Sequence, residues 1–120
     1  MLLNTTSEAL GVSVVSGSRI TFSNPGVYSM TFSIQFVNTD TQIHDVDVWV
    51  RVNGTDVPGT NGRISVPNKH GSVNGSTIAA WNYFLRLNAN DYVQLVWAAS
   101  NTAVTLEYSA AASPHPSTAS

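Results

Sequence analysis

Two aspartates beside a tryptophan are the residues of this chain whose types and spacing could do chemistry. Polar and apolar residues alternate over residues 44–52, so alternate side chains share one face of an extended strand. The polar face carries Asp45, Asp47, Trp49 and Arg51. Asp45 and Asp47 could hold a calcium ion, or act as an acid and base pair, near His44 and Asp40. Solvated surface charge is the commoner explanation, and a metal would need further oxygen ligands.

Trp49 is unusual because it lies on the outward face of its strand, where leaving an indole in water is unfavourable. A sugar or other ligand could cover it, and so could a neighbouring subunit or the loop after Pro58. Interfaces favour Trp, Tyr and Arg, which favours a subunit or loop contact. The predicted ligand or partner surface comprises Trp49, Arg51, Asp45, Asp47, Asn61, Lys69 and His70.

Catalytic motifs are absent from the sequence. There is no cysteine, and none of the three histidines, His44, His70 and His115, forms an HxH or HExxH pair for a metal. No GxSxG or SxxK motif surrounds a serine, and no glycine-rich loop precedes a helix. We therefore predict a protein that is not an enzyme and that needs no cofactor.

The composition excludes several partners. Charged residues make up 10% of the chain, whereas Ser, Thr and Asn together number 38, and the net charge is −2. A chain with so few charges and a slightly negative net charge has no positive electrostatic field to attract nucleic acid, so we expect no nucleic-acid binding. No run approaches the roughly 18 apolar residues of a membrane span, so we expect no membrane insertion. The first residues lack a signal-peptide pattern, so we expect the protein to assemble in a cytoplasm.

The element that organises the chain is an alternating run after the turn Asn24-Pro25-Gly26. One predicted strand face is large and apolar, and the other is small and polar. The apolar face carries Tyr28, Met30, Phe32, Ile34 and Phe36; the polar face carries Ser29, Thr31, Ser33 and Gln35. Such alternation predicts a strand with one face in a core.

Short strands joined by Gly, Asn and Pro turns are predicted along the rest of the chain. Asn53-Gly54 is the strongest hairpin signal, since a type I′ turn needs positive φ at both central residues. Seven to nine strands with no helical periodicity predict an all-β antiparallel sandwich or jelly roll. We divide the chain into an N-terminal arm or edge strand (1–11), the sandwich domain (12–110) and a polar C-terminal tail (111–120).

Two late strands carry apolar residues on both faces, which indicates burial on both sides. In residues 77–87 we group Ile78 with Trp81, Tyr83, Leu85 and Leu87, and place Phe84 opposite them. Phe84, Tyr92 and Val96 then suggest one self-associating face. The predicted oligomer interface comprises Tyr83, Phe84, Leu85, Tyr92 and Val96.

With these strands placed, the chain resembles the C1q and tumour-necrosis-factor-like jelly rolls, most closely those of bacteriophage virion proteins. The resemblance is carried by Gly26-Val27-Tyr28 with its alternating run, by VWVRVNGTDVPGT at residues 48–60 and by LRLNANDYVQLVW at residues 85–97. It covers residues 19–108. The family normally closes with another apolar strand, where this chain has SPHPSTAS. That strand is either missing or supplied by another chain.

The resemblance implies a homotrimer in a virion, in contact with other virion proteins. Its loops near residues 39–44 and 61–74 would form the distal binding surface. Four residues would serve either trimer contacts or inner-sheet packing: Tyr83, Leu85, Tyr92 and Val96. The leading hypothesis is a fibre tip or host-surface-binding module that recognises a glycan or protein. One alternative is a capsid decoration or cement protein bound to the major capsid protein. Another is a carbohydrate-binding β-sandwich module.

Overall fold

The structure, a computed structural model, describes residues 1–3, 6 and 8–118, and this part of the chain is built from nine strands without a helix. The strands are β1 Val12–Val15, β2 Arg19–Phe22, β3 Gly26–Asn38, β4 His44–Val52, β5 Thr55–Asp56, β6 Gly62–Val66, β7 Gly75–Leu87, β8 Tyr92–Ala99 and β9 Val104–Leu106. They pair antiparallel in two sheets, which confirms the predicted all-β class and is consistent with a β-sandwich. The described residues therefore hold no helix that could cross a membrane.

The larger sheet has the order β1-β2-β8-β4-β5, and β6 joins it on the edge of β4 that β5 also uses. β6 pairs with β4 as far as Val48, and β5 pairs with it from Arg51 onward. Val50 therefore lies in a gap between two partner strands. The smaller sheet has the order β7-β3-β9, with β3 and β7 paired along their full length from Gly26↔Leu87 to Asn38↔Gly75.

The core lies between the sheets, where the alternation predicts it. The core has two halves: Ile34 and Phe36 of β3 pack with Val46 and Val48 of β4 in one, and Val50 packs with Leu85 and Leu95 in the other. The three valines are fully buried. Burial of each such valine contributes about 2 kcal/mol relative to exposure. Phe32 packs against both halves of the core, so the long β3 strand joins them.

The predicted Asn-Gly hairpin is confirmed. Asn53 and Gly54 have φ values of 48° and 83°, the left-handed conformation that a type I′ turn requires. The Asn53 side chain also donates to Asp91 Oδ1 at 2.7 Å and accepts from the Tyr92 backbone N–H at 3.0 Å, so this hairpin tip is fixed to the turn before β8. This contact lowers the pKa of Asp91, because the Asn53 amide hydrogen bond favours the ionised carboxylate.

Two expectations about the late strands are wrong. Odd-numbered residues of β7 face the core, and Ala79 is the buried one next to Ile78. Ile78 therefore lies on the outer face with Phe84. Phe84 lies on the smaller sheet, whereas Tyr92 and Val96 lie on the outer face of the larger one. Since β7 and β8 belong to different sheets, these three residues do not share one self-associating face.

The predicted interface also includes two residues that belong to the core. Leu85 is buried between the sheets, and Tyr83 is half-buried with its hydroxyl donating to the Thr60 carbonyl oxygen at 2.6 Å. Burial raises the pKa of the Tyr83 hydroxyl. Both side chains stabilise inner packing, so the prediction that they lie on an oligomer surface is corrected.

Candidate binding site at Trp49

The polar face of β4 lies on the outside of the larger sheet, as its alternation predicts. The strand register sets acidic and basic residues side by side on that face. Arg51 is opposite Asp56 of β5, and Asp47 is opposite Arg63 of β6. Trp49 lies between these two pairs and opposite Val96 of β8. The result is an indole with an ion pair on each side.

Thr60 holds the loop that walls this site. Its hydroxyl accepts a hydrogen bond from the Val50 N–H at 3.1 Å and donates one to the Val57 carbonyl oxygen at 2.7 Å. The Val57 N–H in turn donates to the Val50 carbonyl oxygen at 3.0 Å. The gap between β5 and β6 is therefore closed by a buried side chain, and the loop of residues 57–61 stands beside Trp49 in a fixed position.

The first ion pair is centred on Asp56. Its Oδ1 accepts a hydrogen bond from Arg51 Nε at 2.8 Å and another from Trp49 Nε1 at 2.8 Å. The hydrogen bond from Arg51 has the larger effect and that from Trp49 the smaller, and together they hold the pKa of Asp56 below its usual value. Asp56 Oδ2 accepts no hydrogen bond from the described residues, so the ionised carboxylate keeps acceptor capacity toward solvent.

The second ion pair is centred on Asp47. Arg63 donates to both of its oxygens, from Nε and from Nη2, each at 3.0 Å, and Asn61 Nδ2 donates to Oδ1 at 2.8 Å. The Arg63 hydrogen bonds, with that from Asn61, lower the pKa of Asp47. The fork of the guanidinium is thereby fixed, and donors of Asn61 and Arg63 face the same side of the sheet.

Between the two pairs is an open cleft of about 490 Å³. Its apolar wall comes from Trp49, Val57, Pro58 and Ala98, and its polar rim from Asp47, Asp56, Asn61 and Arg63. A flat aromatic surface with a few fixed donors and acceptors suits a ligand that has an apolar face and many hydroxyl groups.

The structure brings together only part of the predicted surface. Trp49, Asp47 and Asn61 line the cleft, and Arg51 contributes through its bond to Asp56. Asp45 does not line it, because its side chain accepts from Ser65 Oγ at 2.6 Å farther along the strand. Lys69 and His70 lie in the loop after β6, where the Lys69 N–H donates to the Asp40 carbonyl oxygen. The prediction that Asp45, Lys69 and His70 share a surface with Trp49 is therefore corrected.

Sequence reasoning missed Asp56 and Arg63. Asp56 could have been found, because a two-residue turn at Asn53-Gly54 fixes the pairing of Arg51 with Asp56. Arg63 offers no comparable signal, since its register depends on the path of the loop 57–61.

The proposed cluster of Asp45, Asp47, His44 and Asp40 is not assembled. His44 Nε2 lies 2.8 Å from Asp40 Oδ2, and this hydrogen bond lowers the pKa of Asp40. The two remaining carboxylates are on the other face of the strand, bound to Ser65 and Arg63. Within residues 1–3, 6 and 8–118 no group of three or more His, Asp or Glu side chains is arranged to hold a metal ion.

Comparisons with protein-family models and with curated protein sequences find no match to this chain. No family is therefore shown for it. The functional assignment rests on the geometry of the Trp49 cleft and on the resemblance carried by residues 19–108.

Proposed function

We propose that this chain is a non-enzymatic binding module that recognises a saccharide at the Trp49 cleft. The supporting observation is the placement of an outward indole between two ion pairs, Arg51–Asp56 and Asp47–Arg63. A sugar ring has an apolar C–H face that can stack on the indole, and hydroxyls that both donate and accept. Ionised carboxylates and fixed guanidinium and amide donors match those hydroxyls on both sides of the ring.

The fixed geometry of the cleft supports binding without large rearrangement. Trp49 is oriented by its bond to Asp56, and the neighbouring loop is pinned by Thr60. Side chains that are already ordered lose little conformational entropy when a ligand binds. A neutral saccharide therefore needs only a few good contacts to gain affinity.

The resemblance sets the biological context of the proposal. A C1q/TNF-like jelly roll of a bacteriophage virion would form a homotrimer, contact other virion proteins and carry its binding site at a fibre tip. The two antiparallel sheets are compatible with that fold. Its location would then be the virion, assembled in the host cytoplasm, and its ligand a glycan of the host surface.

Calorimetric titration with a panel of neutral oligosaccharides from bacterial cell-surface polysaccharides tests the proposal. We expect at least one to bind, and Trp49→Ala to weaken it about 30-fold, as expected for an aromatic residue central to a contact. Tyr108→Ala is the matched control, because Tyr108 is exposed and lies outside the cleft. Equal affinity of the Trp49→Ala variant and the wild type would refute a saccharide site at this cleft.

A capsid decoration role is the second candidate, and the outer face of the smaller sheet favours it. Val27, Ile78 and Phe84 are exposed there among small polar side chains. Such a face suits a flat protein surface better than a sugar. Co-sedimentation with shells of the major capsid protein, lost in a Phe84→Ser variant but kept in Trp49→Ala, would support this role over the first.

A further inference from the structure

The strand β7 forms a free edge of the smaller sheet. It pairs with β3 on one side only, over all 13 of its residues. On the β9 side, the Glu107 N–H donates to the Gln35 carbonyl oxygen. Successive residues of a strand direct their N–H and C=O groups to opposite sides, so odd-numbered residues of β3 direct theirs toward β9 and even-numbered residues toward β7. Each even-numbered β3 residue faces an odd-numbered β7 residue. The even-numbered residues 76–86 of β7 therefore direct their N–H and C=O groups away from the sheet.

These outward peptide groups have no backbone partner among the described residues. Long exposed edges are usually protected by lysines, prolines or bulges. β7 has none of these: its sequence contains no lysine or proline, its only charged residue is Arg86, and its register with β3 is continuous. Ile78 and Phe84 on this strand are 61% and 75% exposed. An edge with these properties is a template for another strand.

We propose that β7 pairs antiparallel with β7 of a second copy of this chain, about a twofold axis at Trp81. In this register Ile78 lies opposite Phe84 of the second copy, and Ala80 lies opposite its Asn82. Arg86 then faces a serine, Ser76. The ladder would form about twelve backbone hydrogen bonds, since every even-numbered pair exchanges two.

The choice of a second copy and of this register rests on self-complementarity. A twofold contact requires each exposed apolar residue to meet a suitable residue of the same strand. With the axis at Trp81, Ile78 of each copy lies opposite Phe84 of the other, so the same apolar pair forms at two places in the ladder. A shift by one pair in either direction would place Ile78 opposite Asn82 or opposite Arg86, and would leave Phe84 facing a serine or an alanine.

The contact joins the smaller sheets of two copies, whereas Trp49 and its cleft lie on the outer face of the larger sheet. It is independent of saccharide binding, so its failure and the failure of the proposed function are separately measurable. A twofold contact alone gives a dimer, and where a threefold contact also forms it links two trimers. Both predict an even number of copies.

Light scattering after gel filtration of the full chain tests the proposal. We expect a mass twice that of the 12.8 kDa chain, or a larger even multiple. Phe84→Lys should at least halve this number of copies because it replaces the apolar partner of Ile78 with a charge at two places in the ladder. Ser33→Lys is the matched control, since Ser33 lies on the same outer face but on β3, opposite Ala80. A monomer, a complex of three copies, or equal effects of the two lysines would overturn the proposal.

Cross-linking tests the register on an edge that keeps Ile78 and Phe84. The chain has no cysteine, so Ala80→Cys with Asn82→Cys creates the only thiols. Directly opposite residues of a hydrogen-bonded pair have Cα atoms about 5.5 Å apart, within disulfide range. We expect oxidation to give a covalent dimer in the double variant and none in Ala80→Cys alone, where the Cα atoms would be about 9 Å apart. Cross-linking of Ala80→Cys alone, or no cross-link in the double variant, would refute this register.

Discussion

The Thr60 hydroxyl offers the sharpest test of how the binding loop is held. Thr60→Val keeps the shape of the side chain but removes the group that accepts from the Val50 N–H and donates to the Val57 carbonyl oxygen. The residue is 7% exposed, so solvent does not replace it readily. A buried N–H without a partner costs about 1–3 kcal/mol, and the lost bond to Val57 adds about 1 kcal/mol. We therefore expect the free energy of unfolding to fall by about 2–4 kcal/mol.

Urea unfolding followed by tryptophan fluorescence measures this change. Thr55→Val is the matched control, because Thr55 is exposed on β5, and we expect it to change the free energy of unfolding by less than about 0.5 kcal/mol. The loop wall of the Trp49 cleft should loosen in Thr60→Val, so saccharide affinity should fall together with stability. A loss of stability no larger than that of the control would refute the role given to Thr60 in closing the β5–β6 gap.

Three further results are expected. Gly62→Ala should destabilise the fold by about 1–3 kcal/mol in urea unfolding, because a Cβ there would lie 2.6 Å from Trp81 Cζ2. Asn38→Ala should cost about 3 kcal/mol by the same assay, since its buried amide donates to three backbone carbonyl oxygens. The pKa values of Asp47 and Asp56 are lowered in the folded chain, so their stabilisation is complete above the unfolded value of about 3.8 and is lost as pH falls through the folded values. Stability measured against pH should decline below about pH 4, less steeply in Asp47→Asn.

Each of these expectations has a control or a contrary outcome. Gly26→Ala would place its Cβ 3.5 Å from the Tyr28 ring, an ordinary contact, and should be tolerated far better than the change at Gly62. Asn74 is exposed, so Asn74→Ala should leave unfolding nearly unchanged, and an equal loss from both asparagine variants would contradict the role of Asn38. An unaltered acid slope in Asp47→Asn would show that the Arg63 pair contributes nothing to stability.

The sequence predicted those parts of the fold that depend on local periodicity and turn chemistry. Alternation along β3 and β4 identified the core faces, and Asn53-Gly54 identified a hairpin because few residues adopt positive φ at both positions. It also placed Trp49 outward with Asp47. These features need only the two-residue repeat of a strand and the steric limits of a turn.

The errors came from assigning residues across strands. Grouping Phe84 with Tyr92 and Val96 required knowing that β7 and β8 lie in the same sheet, and periodicity contains no such information. The Asp47–Arg63 pair likewise depends on a loop of irregular shape, whose conformation is fixed by Thr60 and a left-handed Gly59. Lys69 and His70 were joined to the site because the resemblance implied a binding surface along residues 61–74, but β6 separates them from the cleft.

The central claim is that a saccharide binds at Trp49, and two-dimensional NMR of the indole N–H groups tests it most directly. The chain has three tryptophans, so three indole signals are expected, and a Trp49→Phe variant assigns the one that donates to Asp56. On titration with an oligosaccharide that binds in calorimetry, we expect the Trp49 signal to shift while those of Trp81 and Trp97 stay in place. Binding with an unmoved Trp49 signal, or equal shifts of all three, would contradict the claim.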